Sequence, residues 1–250
     1  MTRMMRARTA GLVLAGCLGL LAAGRAEAQQ VDVAVVYRLL QEGRLTVTHP
    51  DRSTAAAQVG ARLRSGDQVS AGANTRAALR FTDDGSLLRV NPNSVVRLTS
   101  GSESGVVVRT LNLEFGEVWT RVTRHQGTTL RVQTPAGVAA VKGTEFVVRV
   151  DSQHVTTVLT LEGVVEFSNA SGRVDVPAGS KVVADSAQAP RAQPATAEDL
   201  RGGAAASGGE GGQTQGAWIE IQLRDATGQT RTMMLQVPAD AIRERMGGRP

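Results

Sequence analysis

The sequence has a single cysteine, Cys17, and only three histidines in 250 residues. One thiol excludes an intramolecular disulfide, and thiolate metal sites need several cysteines. The histidines, His49, His125 and His154, have no carboxylate, cysteine or second histidine at metal-ligand spacing. We therefore expect no metal and no cofactor, and we interpret each histidine as a polar residue of a loop or strand face.

Catalytic motifs are also scarce. The sequence has no G-x-S-x-G motif of the kind that carries the nucleophile of serine hydrolases. Two glutamates on neighbouring strands could form the acid pair of a glycosidase, although solvent-facing carboxylates are the more ordinary interpretation. We therefore predict no enzymatic activity and no catalytic residues. The glutamates concerned are Glu114, Glu117, Glu145, Glu162 and Glu166.

Positive charge is concentrated at the N-terminus. The net charge is +5 at pH 7, but residues 1–28 hold four arginines and one glutamate, a net of +3, which leaves +2 for the rest. Beyond residue 30 both signs are interspersed, so no basic stripe is present to neutralise a phosphate backbone. We therefore do not expect nucleic acid as a partner.

The first 28 residues have the organisation of a signal peptide. The basic segment "MTRMMRAR" precedes the apolar "TAGLVLAGCLGLLAAG", and the small-x-small sequence "AEA" ends at Ala28. An apolar run of about 16 residues is too short to favour a membrane-spanning helix. We predict a signal peptide over residues 1–28 and a periplasmic or cell-surface location. "LAGC", which ends at Cys17, also resembles the lipobox of bacterial lipoproteins, so the alternative is lipidation of Cys17 and attachment to a membrane.

Short apolar segments separated by turn residues fill the chain from residue 29 to 185. Leu79 and Phe81 alternate with Ala78 and Arg80, which is the period of a half-buried strand. Clusters of Gly, Asp, Asn and Pro separate this segment from similar ones. The pattern predicts an all-β domain, either a turn-rich antiparallel sandwich or a short β-roll or solenoid of many short strands.

The composition changes after residue 185. Residues 186–216 are rich in Ala, Gly, Pro and Gln and nearly lack large apolar side chains, so we expect a flexible linker. "AWIEIQLRD" and "TRTMMLQVP" then flank the turn "ATGQ", and the polar segment "ADAIRERM" follows. This order predicts a β-hairpin and a short helix within residues 217–250.

The segment "TPAGVAAVKGTEFVVRVD", residues 134–151, resembles a phosphate-binding loop with its letters transposed. That loop reads G-x-x-x-x-G-K-T and opens a helix, whereas here Lys142 precedes Gly143 and an alternating β-branched segment follows. We predict turns at the glycines and a strand that buries Phe146, Val148 and Val150 on one face. The fold signature consists of Thr134, Pro135, Gly137, Gly143, Thr144 and Phe146.

Aromatic residues make up only 3% of the chain. The four phenylalanines occupy positions where a β core would need them, and we expect them to be buried. Trp119 is out of step with Val118 and Val122, which places it on the outer face of its strand, and Trp218 begins the predicted hairpin. Because tryptophan combines a large apolar ring with a polar edge, Trp119 and Trp218 are the candidate contact residues.

An ordered set of turn motifs carries a family resemblance. Its members are Gly66-Asp67, Gly72, Asp84-Gly85-Ser86, Asn93-Ser94, Thr134-Pro135-x-Gly137, Gly143-Thr144-x-Phe146, Leu161-x-Gly163-x-Val165 and Ala178-Gly179. Together they make the chain resemble the FecR domain over about residues 35–184. The resemblance implies an all-β periplasmic module, which in the namesake regulators relays a signal from an outer-membrane transporter to a cytoplasmic sigma factor.

This sequence differs from the regulators in having only about eight residues before the apolar run. We therefore expect an exported, stand-alone FecR-like protein without the cytoplasmic anti-sigma segment. Its expected function is non-enzymatic protein binding or envelope signalling, with an envelope protein as partner. The alternative is a structural or binding protein associated with polysaccharide or peptidoglycan, with a cell-wall polymer as partner.

Overall fold

Short strands make up most of the fold. The structure, a computed structural model, describes residues 31–39, 43–207, 216–224 and 230–238. The predicted signal peptide and the predicted C-terminal helix lie outside these residues. The helix is α1 (Ala197–Ser207), and the strands are β1 (Asp32–Leu39), β2 (Leu45–Thr48), β3 (Thr54–Ala56), β4 (Arg62–Arg64), β5 (Gln68–Ala71), β6 (Ala77–Phe81), β7 (Leu87–Val90), β8 (Ser94–Glu103), β9 (Val106–Arg121), β10 (Thr128–Thr134), β11 (Gly137–Val141), β12 (Glu145–Val150), β13 (Thr156–Glu162), β14 (Val164–Asn169), β15 (Gly172–Pro177), β16 (Ser180–Ala184), β17 (Ala192–Pro194), β18 (Gly216–Arg224) and β19 (Thr230–Pro238).

Two sheets face each other and share one strand, β9. Sheet A has the order β4–β1–β6–β7–β9–β12–β13–β16–β17. Sheet B has the order β3–β2–β5–β8–β9–β10–β11–β14–β15. Among the strands described, only β9 and β10 pair in parallel. The result is one large mixed sheet folded on itself and not closed into a barrel, which confirms the predicted all-β fold of short strands.

The strand β9 passes from one sheet to the other at Gly116. Residues 106–115 pair with β8, whereas residues 118–121 pair with β7 and residues 116–121 with β12. Gly116 has a φ of +99°, and a Cβ there would lie 2.5 Å from the Cα of Ser94. The Ser94 hydroxyl accepts a hydrogen bond of 2.8 Å from the Glu117 amide. Only glycine combines this backbone angle with so close an approach.

The inward faces of both sheets form one hydrophobic core. It contains Leu79 and Phe81 of sheet A with Leu111 and Leu113 of sheet B, all at most 1% exposed. Three of the four phenylalanines are fully buried, as predicted. The prediction is wrong for Phe115, which is 42% exposed. The reason is a β-bulge, since β8 pairs Val95 with Phe115 but Val96 with Leu113, so that residue 114 interrupts the alternation.

A buried ion pair crosses this core. Arg109 of β9 is 1% exposed and points inward. Its guanidinium binds both carboxylate oxygens of Asp84, in the turn between β6 and β7, and covers the ring of Phe81 at 4.3 Å. Asp83 lies beside it, with its carboxylate 3.6 Å from Arg109 Nε. Burial raises the pKa of Asp83, while the positive charge of Arg109 acts in the opposite direction.

The helix α1 covers the outer face of sheet A. Thr196 caps it, since its hydroxyl accepts a hydrogen bond of 3.2 Å from the Asp199 amide while the Asp199 carboxylate accepts one of 2.7 Å from the Thr196 amide. Gly203 and Ala206 are the buried residues of the helix. The predicted flexible linker over residues 186–216 is therefore wrong for β17 and α1, because small residues let this segment pack closely on the sheet.

An ion pair fixes the first turn of α1. Lys181 Nζ of β16 lies 2.7 Å from the Asp199 carboxylate. The pKa of Asp199 is lowered from 3.8 to about 2, mainly by the hydrogen bond from Lys181 and to a lesser extent by those from Thr196. Because the pKa is lowered in the folded state, the stabilising contribution is present above pH 3.8 and is lost as the pH falls toward 2. Asp199 is partly exposed, so solvent screening keeps the contribution small.

The C-terminal strands β18 and β19 pair antiparallel at the positions for which the sequence predicts a hairpin, with Trp218 opposite Gln236 in the register. Within the described residues, α1 is the one helix, and no helix is both long enough and apolar enough to span a bilayer.

Breaking the buried ion pair will destabilise the protein much more than breaking an exposed one. Asp84→Asn leaves the Arg109 charge buried without its main partner, and we expect a loss of about 3 kcal/mol in the free energy of unfolding. Glu103→Gln is the matched control, because Glu103 and Arg131 are exposed, and it should cost less than about 1 kcal/mol. Urea denaturation measures both values. Equal effects of the two substitutions would show that Arg109 does not depend on Asp84.

The packing of α1 on sheet A can be tested with two adjacent glycines. A Cβ at Gly203 would lie 2.8 Å from Leu159 Cδ2, whereas a Cβ at Gly202 meets nothing within 4 Å. We expect Gly203→Leu to displace α1 and shift the fluorescence emission of Trp119 to longer wavelength, while Gly202→Leu leaves the emission unchanged. Both variants should carry Trp218→Phe, so that Trp119 is the only emitter. An unchanged emission in Gly203→Leu would contradict the described packing.

Candidate functional site

An open cleft lies on the outer face of sheet B. Its volume is about 540 Å³, within the range of ligand-binding pockets, roughly 300–1,000 Å³. The strands β8, β9 and β10 form its floor, and the β10–β11 and β12–β13 turns form one wall. We call it the outer-face cleft and define it by Arg97, Asn112, Leu113, Glu114, Gln133, Thr134, Pro135 and His154.

Polar side chains follow one another across the floor of the cleft. In the strand register Gln68 is opposite Arg97, Arg97 is opposite Asn112, and Asn112 is opposite Gln133. Neighbouring strands are about 4.8 Å apart, so these side chains form a continuous row. The row presents one guanidinium and three carboxamides, groups that supply both hydrogen-bond donors and acceptors.

Arg97 is held in place by the neighbouring turn. Its Nη2 donates to Gln68 Oε1 at 2.8 Å, and its Nη1 lies 3.5 Å from the Gly66 carbonyl. Gly66 has a φ of +96°, and the buried Asp67 carboxylate accepts hydrogen bonds from the Arg64 amide at 2.7 Å and from His49 Nδ1 at 2.8 Å. The Gly66-Asp67 motif thus fixes the turn that orients Arg97.

The bulge in β9 forms one end of the cleft. It exposes both Glu114, which lines the cleft, and the next residue, Phe115. Phe115 is opposite Val95, which lies two residues before Arg97 on β8. An exposed phenylalanine beside an arginine is a combination typical of protein interfaces, which are enriched in aromatic residues and arginine.

Two turns form the wall of the cleft. The Thr134 hydroxyl donates to the Gly137 carbonyl at 3.0 Å and accepts from the buried Thr156 hydroxyl at 2.9 Å. His154 has a left-handed backbone with a φ of +61°. The Asp151 carboxylate stabilises that turn by accepting two amide hydrogen bonds of 2.9 Å, from residues 153 and 155. Both turns are therefore rigidly hydrogen bonded and hold the wall in position.

The remaining signature residues lie below the cleft or away from it. Phe146 is fully buried, and Val148 and Val150 share its face, as predicted. A Cβ at Gly137 would lie 2.5 Å from the Ser168 carbonyl, so glycine is needed for close strand packing. Gly143 has a φ of +71° and precedes the strand β12. The strand β12 follows the motif, whereas a phosphate-binding loop must be followed by a helix whose N-terminus holds the phosphate.

Trp119 is not a contact residue of the surface. It lies on the outer face of sheet A, as expected, but it is 1% exposed and packs with Val147, Leu159 and Ala206. The guanidinium groups of Arg89 and Arg121 flank its ring at 4.9 and 5.2 Å. The expectation of an exposed contact is wrong because α1 covers this face. For Trp218, the structure describes only the backbone position in β18.

Three of the five glutamates, Glu117, Glu145 and Glu166, are paired with arginines. Glu145 accepts from Trp119 Nε1 at 3.1 Å and from Arg121 Nε at 2.9 Å, and Glu117 pairs with Arg149. On the neighbouring strands β9 and β12, Glu117 is opposite Arg149, which is four residues from Glu145. Four residues of a strand span about 13 Å. This distance is larger than the separation of the two catalytic carboxyl groups in glycosidases. Glu162 is opposite Glu145 in the register, but neither of them lines the outer-face cleft.

The histidines occupy the predicted kinds of position. His49 pairs with Asp67, His125 lies in the exposed loop after β9, and His154 lies in the β12–β13 turn. Within the described part of the chain, no three His, Cys, Asp or Glu side chains are grouped so that they could hold a metal ion.

Substitutions at two glycines with nearly equal backbone angles can distinguish the cost of backbone strain from the cost of a steric clash. Gly143 and Gly179 have φ of +71° and +76°, but only at Gly143 would a Cβ meet another residue, Arg124 Cβ at 2.9 Å. Valine at either position should cost about 1–2 kcal/mol of unfolding free energy from the left-handed backbone, and we expect a larger loss for Gly143→Val. Chemical denaturation provides the comparison. Tight ATP binding that is lost on Lys142→Ala would instead support a nucleotide site.

One comparison with known proteins, with family models, agrees with the sequence motifs. Residues 67–166 match the family model described as "FecR protein". A search of curated proteins found no significant match. Two crystal structures, each described as a "putative anti-sigma factor" from Parabacteroides distasonis ATCC 8503, are similar to this fold. The first has 17% sequence identity and a TM-score of 0.47, over 61% of this chain and 66% of that chain. The second has 15% identity and a TM-score of 0.47, over 73% of this chain and 92% of that chain.

The matched range 67–166 begins at Asp67, which fixes the turn beside Arg97, and it contains every residue that lines the outer-face cleft. The resemblance inferred from the sequence is therefore confirmed over residues 67–166, which match the FecR family model.

Proposed function

We propose that this protein is a non-enzymatic, periplasmic or cell-surface module that binds another envelope protein and takes part in envelope signalling. The FecR family supports a signalling-related role. The predicted signal peptide over residues 1–28 supports export. Binding to a protein is the step that connects these two expectations, because a signalling module without catalytic groups acts through the partners that it binds.

The observation that carries the proposal is the outer-face cleft with Phe115 beside it. The other large apolar side chains that are exposed among the described residues, Val164, Val183 and Leu200, are aliphatic. Here, in contrast, an exposed phenylalanine borders an open cleft of about 540 Å³ that contains an arginine. Interfaces between proteins combine an apolar anchor with polar groups around it. The β-sheet floor also keeps these side chains fixed, which lowers the entropic cost of binding.

The polymer-binding alternative loses one of the residues that motivated it. Trp119 was one of two candidate stacking residues, and it is buried under α1. Phe115 borders the outer-face cleft but does not line it, and the other described aromatic side chains do not line it either. A sugar is usually held by stacking rings that line the site. A cell-wall polymer is therefore an outcome that the experiment below must distinguish, and it is not the function that we propose.

Site-specific photo-crosslinking in cells tests the proposal. A benzophenone amino acid at Phe115 of the full chain should yield one major adduct with an envelope protein. The same group at Val183, which is 46% exposed on sheet A, is the matched control and should not yield that adduct. Fractionation of the same cells should find the protein in the envelope, with residues 1–28 removed.

Three results would contradict the proposal. These are a cytosolic protein, the same adducts from both positions, and the absence of any protein adduct from Phe115. Sedimentation of the protein with purified cell-wall material, without an adduct, would favour the polymer-binding alternative.

A further inference from the structure

Among the described residues, the arginines on the outer face of sheet B pair with carboxylates, except for Arg97 in the outer-face cleft. Arg131 forms two hydrogen bonds of 3.1 and 3.2 Å with Glu103, and Arg173 lies 3.4 Å from Glu166. Arg97 contacts only the neutral oxygens of Gln68 and Gly66 within the described residues. Its positive charge is therefore half-buried and has no acidic partner in that part of the chain.

The guanidinium of Arg97 retains binding capacity. An arginine has five N–H donors in a planar fork, and the two hydrogen bonds to Gln68 and Gly66 use two of them. These bonds also fix the orientation of the group. A carboxylate can accept two parallel hydrogen bonds from such a fork, and this geometry is among the strongest polar contacts in proteins.

The neighbouring carboxamides match a peptide backbone. Asn112 and Gln133 follow Arg97 in the row across the sheet. Each side chain has a carbonyl oxygen that can accept from a peptide N–H and an NH₂ group that can donate to a peptide carbonyl. Two strand spacings separate Arg97 from Gln133, which is about 10 Å, or three residues of an extended chain. A segment that crosses the strands can therefore contact all three side chains.

Glu114 restricts the charge of the ligand. Its carboxylate lies in the same cleft as Arg97, so a ligand that carries several negative charges would be repelled at that end. A single carboxylate next to an apolar side chain avoids this repulsion, because the apolar group can pack on the exposed ring of Phe115. The charge pattern favours a protein segment over a polyanion.

We propose that the outer-face cleft binds an extended segment of a partner protein, in which one Asp or Glu carboxylate pairs with Arg97 and an adjacent apolar side chain contacts Phe115. The proposal rests on the protein-binding function proposed above and specifies its ligand. Arg97 serves as the anchor for the carboxylate, and Asn112 and Gln133 bind the backbone of the segment.

Selection from a random linear peptide library tests the proposal. Peptides 12 residues long, displayed on phage, are selected on the purified protein, and enriched sequences are synthesised. We expect enriched peptides to carry Asp or Glu beside an apolar residue. Arg97→Gln, or replacement of the peptide Asp by Asn, should weaken binding roughly tenfold to hundredfold, as expected for a hydrogen-bonded charged pair. The two changes combined should cost little more than either one alone.

Matched variants separate the role of Arg97 from general effects. Arg131→Gln removes a charge from the same face and should leave peptide binding unchanged. Arg97→Lys keeps the charge but loses the planar fork, and should give intermediate affinity. Thermal unfolding of each variant verifies that it is folded. Titration with N-acetylglutamate distinguishes a small-molecule site, because binding as tight as that of the peptides would overturn the proposal of a protein segment.

The other outcomes are also decisive. Enriched peptides without a carboxylate, an unchanged affinity in Arg97→Gln, or no enrichment at all would overturn the inference. Photo-crosslinking at Phe115 in the Arg97→Gln background separates this inference from the proposed function. If the envelope adduct persists at full yield, the protein-binding function stands and the carboxylate anchor is wrong. If the protein that retains Arg97 also gives no adduct from Phe115, the proposed function itself is wrong.

Discussion

The fold depends on a single strand that belongs to two sheets. Because β9 pairs with β8 and β10 before Gly116 and with β7 and β12 after it, the two sheets cannot separate without breaking one continuous strand. The φ of +99° at Gly116 and the close approach of Ser94 fix the point of the bend. The bulge just before this point places Glu114 and Phe115 at the surface. The bend that joins the sheets therefore also forms one end of the outer-face cleft.

Two features reverse the usual distribution of polar and apolar residues. Arg109 is inside the core, where Asp84 and the ring of Phe81 compensate its charge. Trp119 is on the outer face, where α1 and two arginines cover it. In both cases a segment distant in sequence supplies the compensation, a turn for Arg109 and a helix for Trp119. Burial is thus set by the segment that packs on a strand, and not by the strand alone.

The outer-face cleft collects residues from parts of the chain that are far apart in sequence. Arg97 comes from β8, Gln133 from β10 and His154 from the β12–β13 turn. The sequence motifs pointed to Thr134 and Pro135, which lie in the wall, because turns with Pro and Gly have a local signature. Arg97, Asn112 and Gln133 were not identified, since a polar residue in an alternating strand looks the same whether it borders a cleft or open solvent. Arg109 did have a local signal, because the alternation places it on the same face as Leu111 and Leu113.

The sequence alone was enough to determine the all-β class, most strand positions, the turns at the signature glycines and the burial of Phe146, because alternation and turn chemistry act over a few residues. The same turn motifs carry the resemblance to the FecR domain. The sequence did not determine that β9 is shared by both sheets, that α1 covers Trp119, or that Phe115 is exposed. Those features result from pairings between segments tens of residues apart, and the tertiary structure alone decided them. The helix α1 is the plainest example. Its Ala- and Gly-rich sequence lacks large apolar side chains, and it is stabilised by a surface that other strands assemble.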